Sequence, residues 1–189
     1  MGIALLVGYL LGSLPFGVWI AKLYGVCIFE VGSGNPGATN VLRTVGKKAG
    51  YTVFALDALK GCWAVIIGTL CWQSPYGGLL GALLGHCYPL FAHFKGGKGV
   101  ATLIGGLLYI IPVPLVLALV VWGIVFKWLR YVSCASLCCV LSLLPFCCLC
   151  YGFEASRVHA LPLLILNIGV FWRHRANLKR LWNATEHRF

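Results

Sequence analysis

Long apolar runs alternate with short polar breaks along this chain, and the alternation predicts its architecture before any single residue is weighed. Runs near 2–23, 51–72, 77–93, 99–110, 112–127, 131–151 and 157–172 are apolar enough for helices, and charged or turn residues separate them. The stretch from 99 to 127 admits two readings. It is one long span kinked at Pro112 and Pro114, or two helices turning at Ile111-Pro112-Val113-Pro114.

The charge pattern chooses between them. With seven spans and the N-terminus outside, Lys22, Arg43, Lys47, Lys48, Lys60, Lys95, Lys98, Lys127, Arg130 and the basic tail from Arg173 fall inside, and only Arg157 falls outside. A single span over 99–127 would invert every later segment against the positive-inside bias. The expectation is an all-α polytopic membrane protein with seven spans, the fourth short. Residues 1–189 are expected to form one membrane-embedded domain.

Composition narrows the class. At 60% hydrophobic and 10% charged residues, the chain exceeds a soluble core and fits a membrane protein. A net charge of +11 raises nucleic acid as a partner, but the cations sit in short loops between spans, where topology accounts for them. The apolar start has no basic region before it and no small-residue cleavage site before Lys22, so Met1–Leu23 is read as a retained first span. The ten cysteines lie mostly inside apolar runs. Cys147 and Cys150 form one CxxC without a second pair at zinc spacing, so packing is their expected role, and no metal or cofactor is expected.

Two glycine-rich breaks carry the candidate chemistry. Val31-Gly32-Ser33-Gly34-Asn35-Pro36-Gly37 leads into a short helix, with Asn35 as expected N-cap, Pro36 at the first helical position and Gly46 past the end. Ala38, Val41, Leu42 and Val45 form its apolar stripe, while Thr39, Asn40, Arg43 and Lys47 face elsewhere, the pattern of an interfacial helix. Backbone donors beside Gly32, Ser33 and Gly34 can cradle an anion, and Arg43 can grip phosphate with two N–H groups. An ordinary capped glycine turn is the alternative. Gly32, Gly34 and Gly37 satisfy GxGxxG, but no βαβ unit surrounds them, which excludes a dinucleotide fold.

The second break, Lys95-Gly96-Gly97-Lys98-Gly99-Val100, puts two cations and three glycines where a helix begins. Its glycines admit close backbone approach to a ligand, and its lysines supply point charges. It is not a Walker A loop, because Ala92 stands where a glycine is required. As an alternative, both lysines are topology signals. His86 in the third span is a ligand or proton-transfer group, or a hydrogen-bonded structural residue. Asp57 and Lys60, three residues apart on one helix face, are read as a structural ion pair, with Lys60 able to reach a phosphate. In the tail, Leu178, Leu181 and Trp182 form an apolar stripe beside Asn177 and Arg180, a second interfacial helix on the cytoplasmic face.

Three segments together resemble the bacterial acyl-phosphate:glycerol-3-phosphate acyltransferases of the PlsY type. They are Gly32-Ser-Gly-Asn-Pro-Gly-Ala-Thr-Asn-Val-Leu-Arg43 with Asp57-Ala-Leu-Lys-Gly61; Gly85-His-Cys-Tyr-Pro-Leu-Phe-Ala-His-Phe-Lys-Gly-Gly-Lys-Gly-Val-Ala-Thr102; and Asn177-Leu-Lys-Arg180 through Glu186. In the third, Asn183-Ala184-Thr185-Glu186 lacks the glycine expected before the glutamate. The resemblance implies acyl transfer from acyl phosphate to the 1-hydroxyl of glycerol 3-phosphate at a bacterial inner membrane, by a monomer among membrane lipids. It implies catalytic roles for Ser33, Arg43, His86 and Asn177. Substrate contacts are implied for Gly34, Asn35, Gly37, Thr39, Asn40, Lys60, Lys95, Gly96, Gly97, Lys98, Gly99 and Glu186. The base stays open between His86 and the acceptor's own phosphate. The His-x4-Asp pair of CoA-dependent acyltransferases is absent, since Phe91 follows His86 and Lys98 follows His93 at that spacing. A transporter for a phosphorylated metabolite is the alternative from another class; it calls for a midplane polar site and an internal repeat, and no repeat is visible.

Overall fold

A computed structural model describes all of residues 1–189 as helices joined by turns, with no strand. Counting Gly2–Leu23 as one interrupted span, five helical segments are long and apolar enough to cross a membrane. The chain divides into two compact units, Met1–Ile110 and Ile111–Phe189.

The first unit contains α1 (Gly2–Gly12), α2 (Phe16–Leu23), α3 (Ala38–Thr44), α4 (Lys47–Trp72), α5 (Pro75–Cys87), a 3-10 turn at Leu90–Ala92 and α6 (Val100–Ile110). Helix α1 packs along α5, and α4 packs against α1, α5 and α6. Glycines set the α1–α5 distance. A Cβ on Gly81 would meet the Leu5 carbonyl, and one on Gly85 the Tyr9 carbonyl, so backbone lies directly on backbone.

Three expected elements differ in the structure. The run 2–23 is not one continuous helix; it breaks at Ser13–Pro15, where proline lacks an amide hydrogen and obstructs the preceding turn. The run 77–93 stops as a helix at Cys87, because Pro89 disfavours helical backbone at Tyr88, which takes φ −134° and ψ 65°. The helix expected from Asn35 begins only at Ala38, with Gly37 at its N-cap, and spans seven residues. Asn35 instead accepts the Gly37 amide at 3.0 Å, a local turn that outcompetes the cap.

The second unit contains α7 (Pro112–Leu129), α8 (Val132–Tyr151), α9 (Phe153–Arg173) and α10 (Arg175–Trp182). Helix α6 ends at Ile110 and α7 starts at Pro112, with Ile111 out of the helical conformation at φ −139°. Within this unit α8 packs between α7 and α9.

Candidate active site

The polar chemistry of the first unit converges where four of its elements meet. Burial starts the argument: Asp57 is 2% exposed, Lys60 5% and His86 8%, in a setting that penalises unpaired charge. Their partners are correspondingly close. Lys60 Nζ lies 2.7 Å from Asp57 Oδ1 and donates to the Leu14 carbonyl at 2.9 Å. That carbonyl sits at the break between α1 and α2. The same Asp57 oxygen lies 3.4 Å from His86 Nδ1, which is also 3.2 Å from Thr102 Oγ1 on α6. The Phe16 ring lies 5.6 Å from the Lys60 ammonium. The expected Asp57–Lys60 pair is therefore one edge of a four-residue network that includes the candidate histidine.

Beside this network lies a small open cleft, walled by Lys60, His86, Lys95, Gly96, Gly97 and Pro36 among others. The Lys95–Gly99 loop reaches it by a sharp reversal. His93 and Phe94 both take left-handed backbone, with φ 50° and 60°, and the Gly97 amide donates to the His86 carbonyl at 3.0 Å. The glycines serve this packing. A Cβ on Gly96 would strike the His86 carbonyl, and one on Gly97 would strike His86 Nε2. Their first duty is thus close approach to α5 rather than to a ligand. Lys95 is exposed and Lys98 half-buried; Gly99, at φ 82°, packs on Leu83.

The first loop spends its backbone donors internally. Ser33 N–H donates to Asn40 Oδ1 at 2.9 Å, Gly34 N–H to the Val31 carbonyl at 3.0 Å, and Gly37 N–H to Asn35. Asn40, expected to face outward, is buried and organises the loop; its amide nitrogen also donates to the carbonyls of Ile28 and Val31. A periodicity argument missed it because an asparagine buried this way is satisfied by loop carbonyls, not by the helix. Ser33 is exposed, while Thr39 and Arg43 are half-buried on α3. The loop meets the cleft at Pro36, whose carbonyl lies against Gly17.

Asn177 and Glu186 belong to the second unit. There Glu186 accepts from Ser133 at 2.9 Å and from Asn177 at 2.6 Å on one carboxylate oxygen, and from Arg180 at 2.7 Å on the other. Burial by itself would raise the Glu186 carboxyl's pKa, yet these hydrogen bonds and the Arg180 charge hold it below the usual value. A further tie runs from the Phe189 amide to the Arg130 carbonyl at 2.9 Å. Asn177 Oδ1 is buried without a hydrogen-bond partner.

Comparison with known proteins decides the family. The family described as glycerol-3-phosphate acyltransferase matches residues 2–184. The chain belongs to it. Among glycerol-3-phosphate acyltransferases similar to it, that of Aquifex aeolicus is 44% identical, over 96% of this chain and 95% of its own length. That of Sinorhizobium medicae is 43% identical, over 97% and 90%. The chain also resembles the crystal structure of PlsY (YgiH), an integral membrane glycerol 3-phosphate acyltransferase, in its glycerol 3-phosphate form. The TM-score there is 0.91 at 40% identity, covering 99% of this chain and 94% of that one. The lysophosphatidic acid form of the same enzyme gives 0.88. An acyltransferase of the membrane is what this family is, which sets the transporter alternative aside.

In this acyltransferase the sequence reading passed over Thr102 and Ser133. Both are buried hydroxyls, Thr102 beside His86 and Ser133 on Glu186. Their only sequence signal is position, since each lies in the first turn of an apolar helix just after a basic loop.

Proposed function

We propose that the chain transfers a fatty acyl group from acyl phosphate to the 1-hydroxyl of glycerol 3-phosphate, giving lysophosphatidic acid and inorganic phosphate. The observation that carries this reading is the gathering of Lys60, His86 and Lys95 on one cleft at a glycine loop. Cations there suit a phosphorylated acceptor. In the reaction, the acceptor's hydroxyl oxygen forms a bond to the acyl carbon, and the acyl carbon–oxygen bond to phosphate breaks with its electrons leaving on phosphate. The hydroxyl proton passes to His86 or to the acceptor's own phosphate. A mixed anhydride already has a good leaving group, so the protein's main task is to hold charge and geometry.

Lys60, Lys95 and Lys98, with Gly96, Gly97 and Gly99 shaping their loop, are assigned to glycerol 3-phosphate. The Ser33 hydroxyl and Arg43 are assigned to acyl phosphate. Because the amides of Ser33, Gly34 and Gly37 are engaged within the loop, Gly34, Asn35, Gly37 and Asn40 act by shaping it, with Thr39 beside them. Asn177, which has a buried acceptor to spare, is assigned to orienting substrate, and Glu186 to holding Asn177.

The reading includes one domain over 1–189 that acts as a monomer. It has seven spans with a short fourth, interfacial helices at α3 and α10, the N-terminus outside and the active site toward the cytoplasm of a bacterial inner membrane. The bias of basic residues to alternate loops supports that orientation.

The test is an assay of purified protein with palmitoyl phosphate and glycerol 3-phosphate, with palmitoyl-CoA as control donor. Lysophosphatidate from the first donor only is the expected result. Product from palmitoyl-CoA alone would overturn the donor assignment.

A further inference from the structure

Helix α9 carries an apolar stripe that ends at a cation. Leu164, Ile168 and Trp172 recur at every fourth residue along one side of this 21-residue helix, and all three are exposed. In a helix long and apolar enough to cross a bilayer, such a stripe faces acyl chains, and a tryptophan at its end marks headgroup depth. Arg175 sits over that tryptophan. Its guanidinium lies 4.9 Å from the Trp172 ring, and its Nη1 donates to the Trp172 carbonyl at 2.9 Å. One charge is thus fixed at headgroup depth, with N–H donors to spare.

Helix α10 continues the surface. Arg175, Leu178, Lys179 and Trp182 fall at i, i+3, i+4 and i+7, and all four are exposed, Trp182 at 91%. Asn177 and Arg180 turn the other way, onto Glu186. The same end of the unit adds exposed Lys127 and Trp128, because the Phe189 ring packs on Phe126 at 5.9 Å and the Phe189 amide donates to the Arg130 carbonyl.

No acidic side chain of this unit is left for Arg175 and Lys179. Residues 111–189 contain only Glu154, which pairs with Arg157 at 2.8 Å, and Glu186, which pairs with Arg180 at 2.7 Å. Cations interleaved with large apolar side chains, at the end of a lipid-facing stripe, fit a molecule that has an anionic head and apolar tails. An acidic protein or a nucleic acid would match the charge and leave no apolar partner for Leu178 and Trp182.

We propose that the exposed face of α10 is a docking surface for anionic phospholipid of the surrounding bilayer, with Arg175 and Lys179 on the phosphodiester and Leu178 and Trp182 among the first acyl methylenes. The proposal needs only the chain's place in a membrane and is independent of the acyl-transfer reading. Lipid on this face holds the helix whose opposite face carries Asn177.

The test follows Trp182 emission in the full chain reconstituted in phosphatidylcholine vesicles. Comparison with Trp182→Phe isolates that signal among the seven tryptophans. Lipid brominated near the carbonyl end of its chains is supplied at one mole fraction, either as phosphatidylglycerol or as phosphatidylcholine. Trp182 is expected to be quenched about fivefold more by the anionic lipid, the selectivity that one cation at a bilayer surface supplies. The preference should fall to parity in Arg175→Gln/Lys179→Gln, and in wild type at about 1 M salt, which screens exposed charge. Lys47→Gln/Lys48→Gln removes the same charge from the first unit and should keep the preference.

Equal quenching by the two lipids overturns the proposal, and so does quenching by neither, which would put Trp182 outside the bilayer. A preference untouched by the α10 double variant overturns it as well, and equal loss in the Lys47 and Lys48 variant would make the preference a property of net charge. Should the α10 variant not fold, the salt series on wild type decides: a preference that persists at about 1 M salt is not electrostatic, and the proposal fails. A shift of Trp182 emission on adding polyglutamate, without selective quenching by the anionic lipid, would assign the face to an acidic protein instead.

Discussion

At the scale of single residues, the most informative side chains are those whose surroundings differ from what their neighbours in sequence suggest. Asp57 and Lys60 announce themselves as a pair three apart, but nothing in the sequence links them to His86, twenty-six residues further on, or to Thr102. Spacing reports contacts within a helix; contacts between helices come from packing, which no local pattern encodes. Ala184 shows the reverse. A glycine was expected before Glu186 without its position being fixed, and the structure marks the place, since Ala184 takes left-handed backbone at φ 54°. Glu186, two residues on, carries a pH prediction. Its carboxyl is held below the usual 4.5 by Asn177, Arg180 and Ser133, so the stability it contributes is complete above that pH and drains as pH falls through its lower folded value. Hydrogen exchange of residues 183–189 is expected to accelerate on acidification in that range. In Glu186→Gln it should be fast already at neutral pH.

At the scale of elements, the sequence located each long helix but misjudged where several of them end. Pro15 and Pro89 were visible, yet both lay inside runs whose hydrophobicity argued for continuity, and the backbone rule for proline prevailed. The glycines of α1 and α5 were equally visible, but their pairing was not, because it depends on which helices face each other. That pairing predicts a mutational contrast. Gly81→Val sets its side chain on the Leu5 carbonyl and is expected to cost about 1–3 kcal/mol, read as a lower Tm in detergent. Gly123→Ala on α7, where a Cβ meets nothing within 4 Å, should leave Tm unchanged or raise it slightly.

At the scale of the whole molecule, membrane character and family were readable from the chain, because composition and three extended motifs carry them without any three-dimensional information. The count and direction of spans rest on charge parity alone, and they make a sharp prediction. A fluorescent protein fused after Phe189 is expected to fluoresce in bacterial cells, and alkaline phosphatase at the same point to be inactive; the opposite pair of results would reverse the orientation.

The interruption at Leu14–Pro15 has a practical consequence for anyone who re-engineers the amino-terminal segment. An unbroken transmembrane anchor of equal length and greasiness would satisfy the bilayer, yet it would close its own carbonyls into helical hydrogen bonds and withdraw the one that steadies Lys60. Chimeras that retain Leu14-Pro15-Phe16 should remain competent. Chimeras that smooth this step away would insert normally and yet handle the acceptor poorly, so this leading segment is a component of the enzyme and not merely its tether.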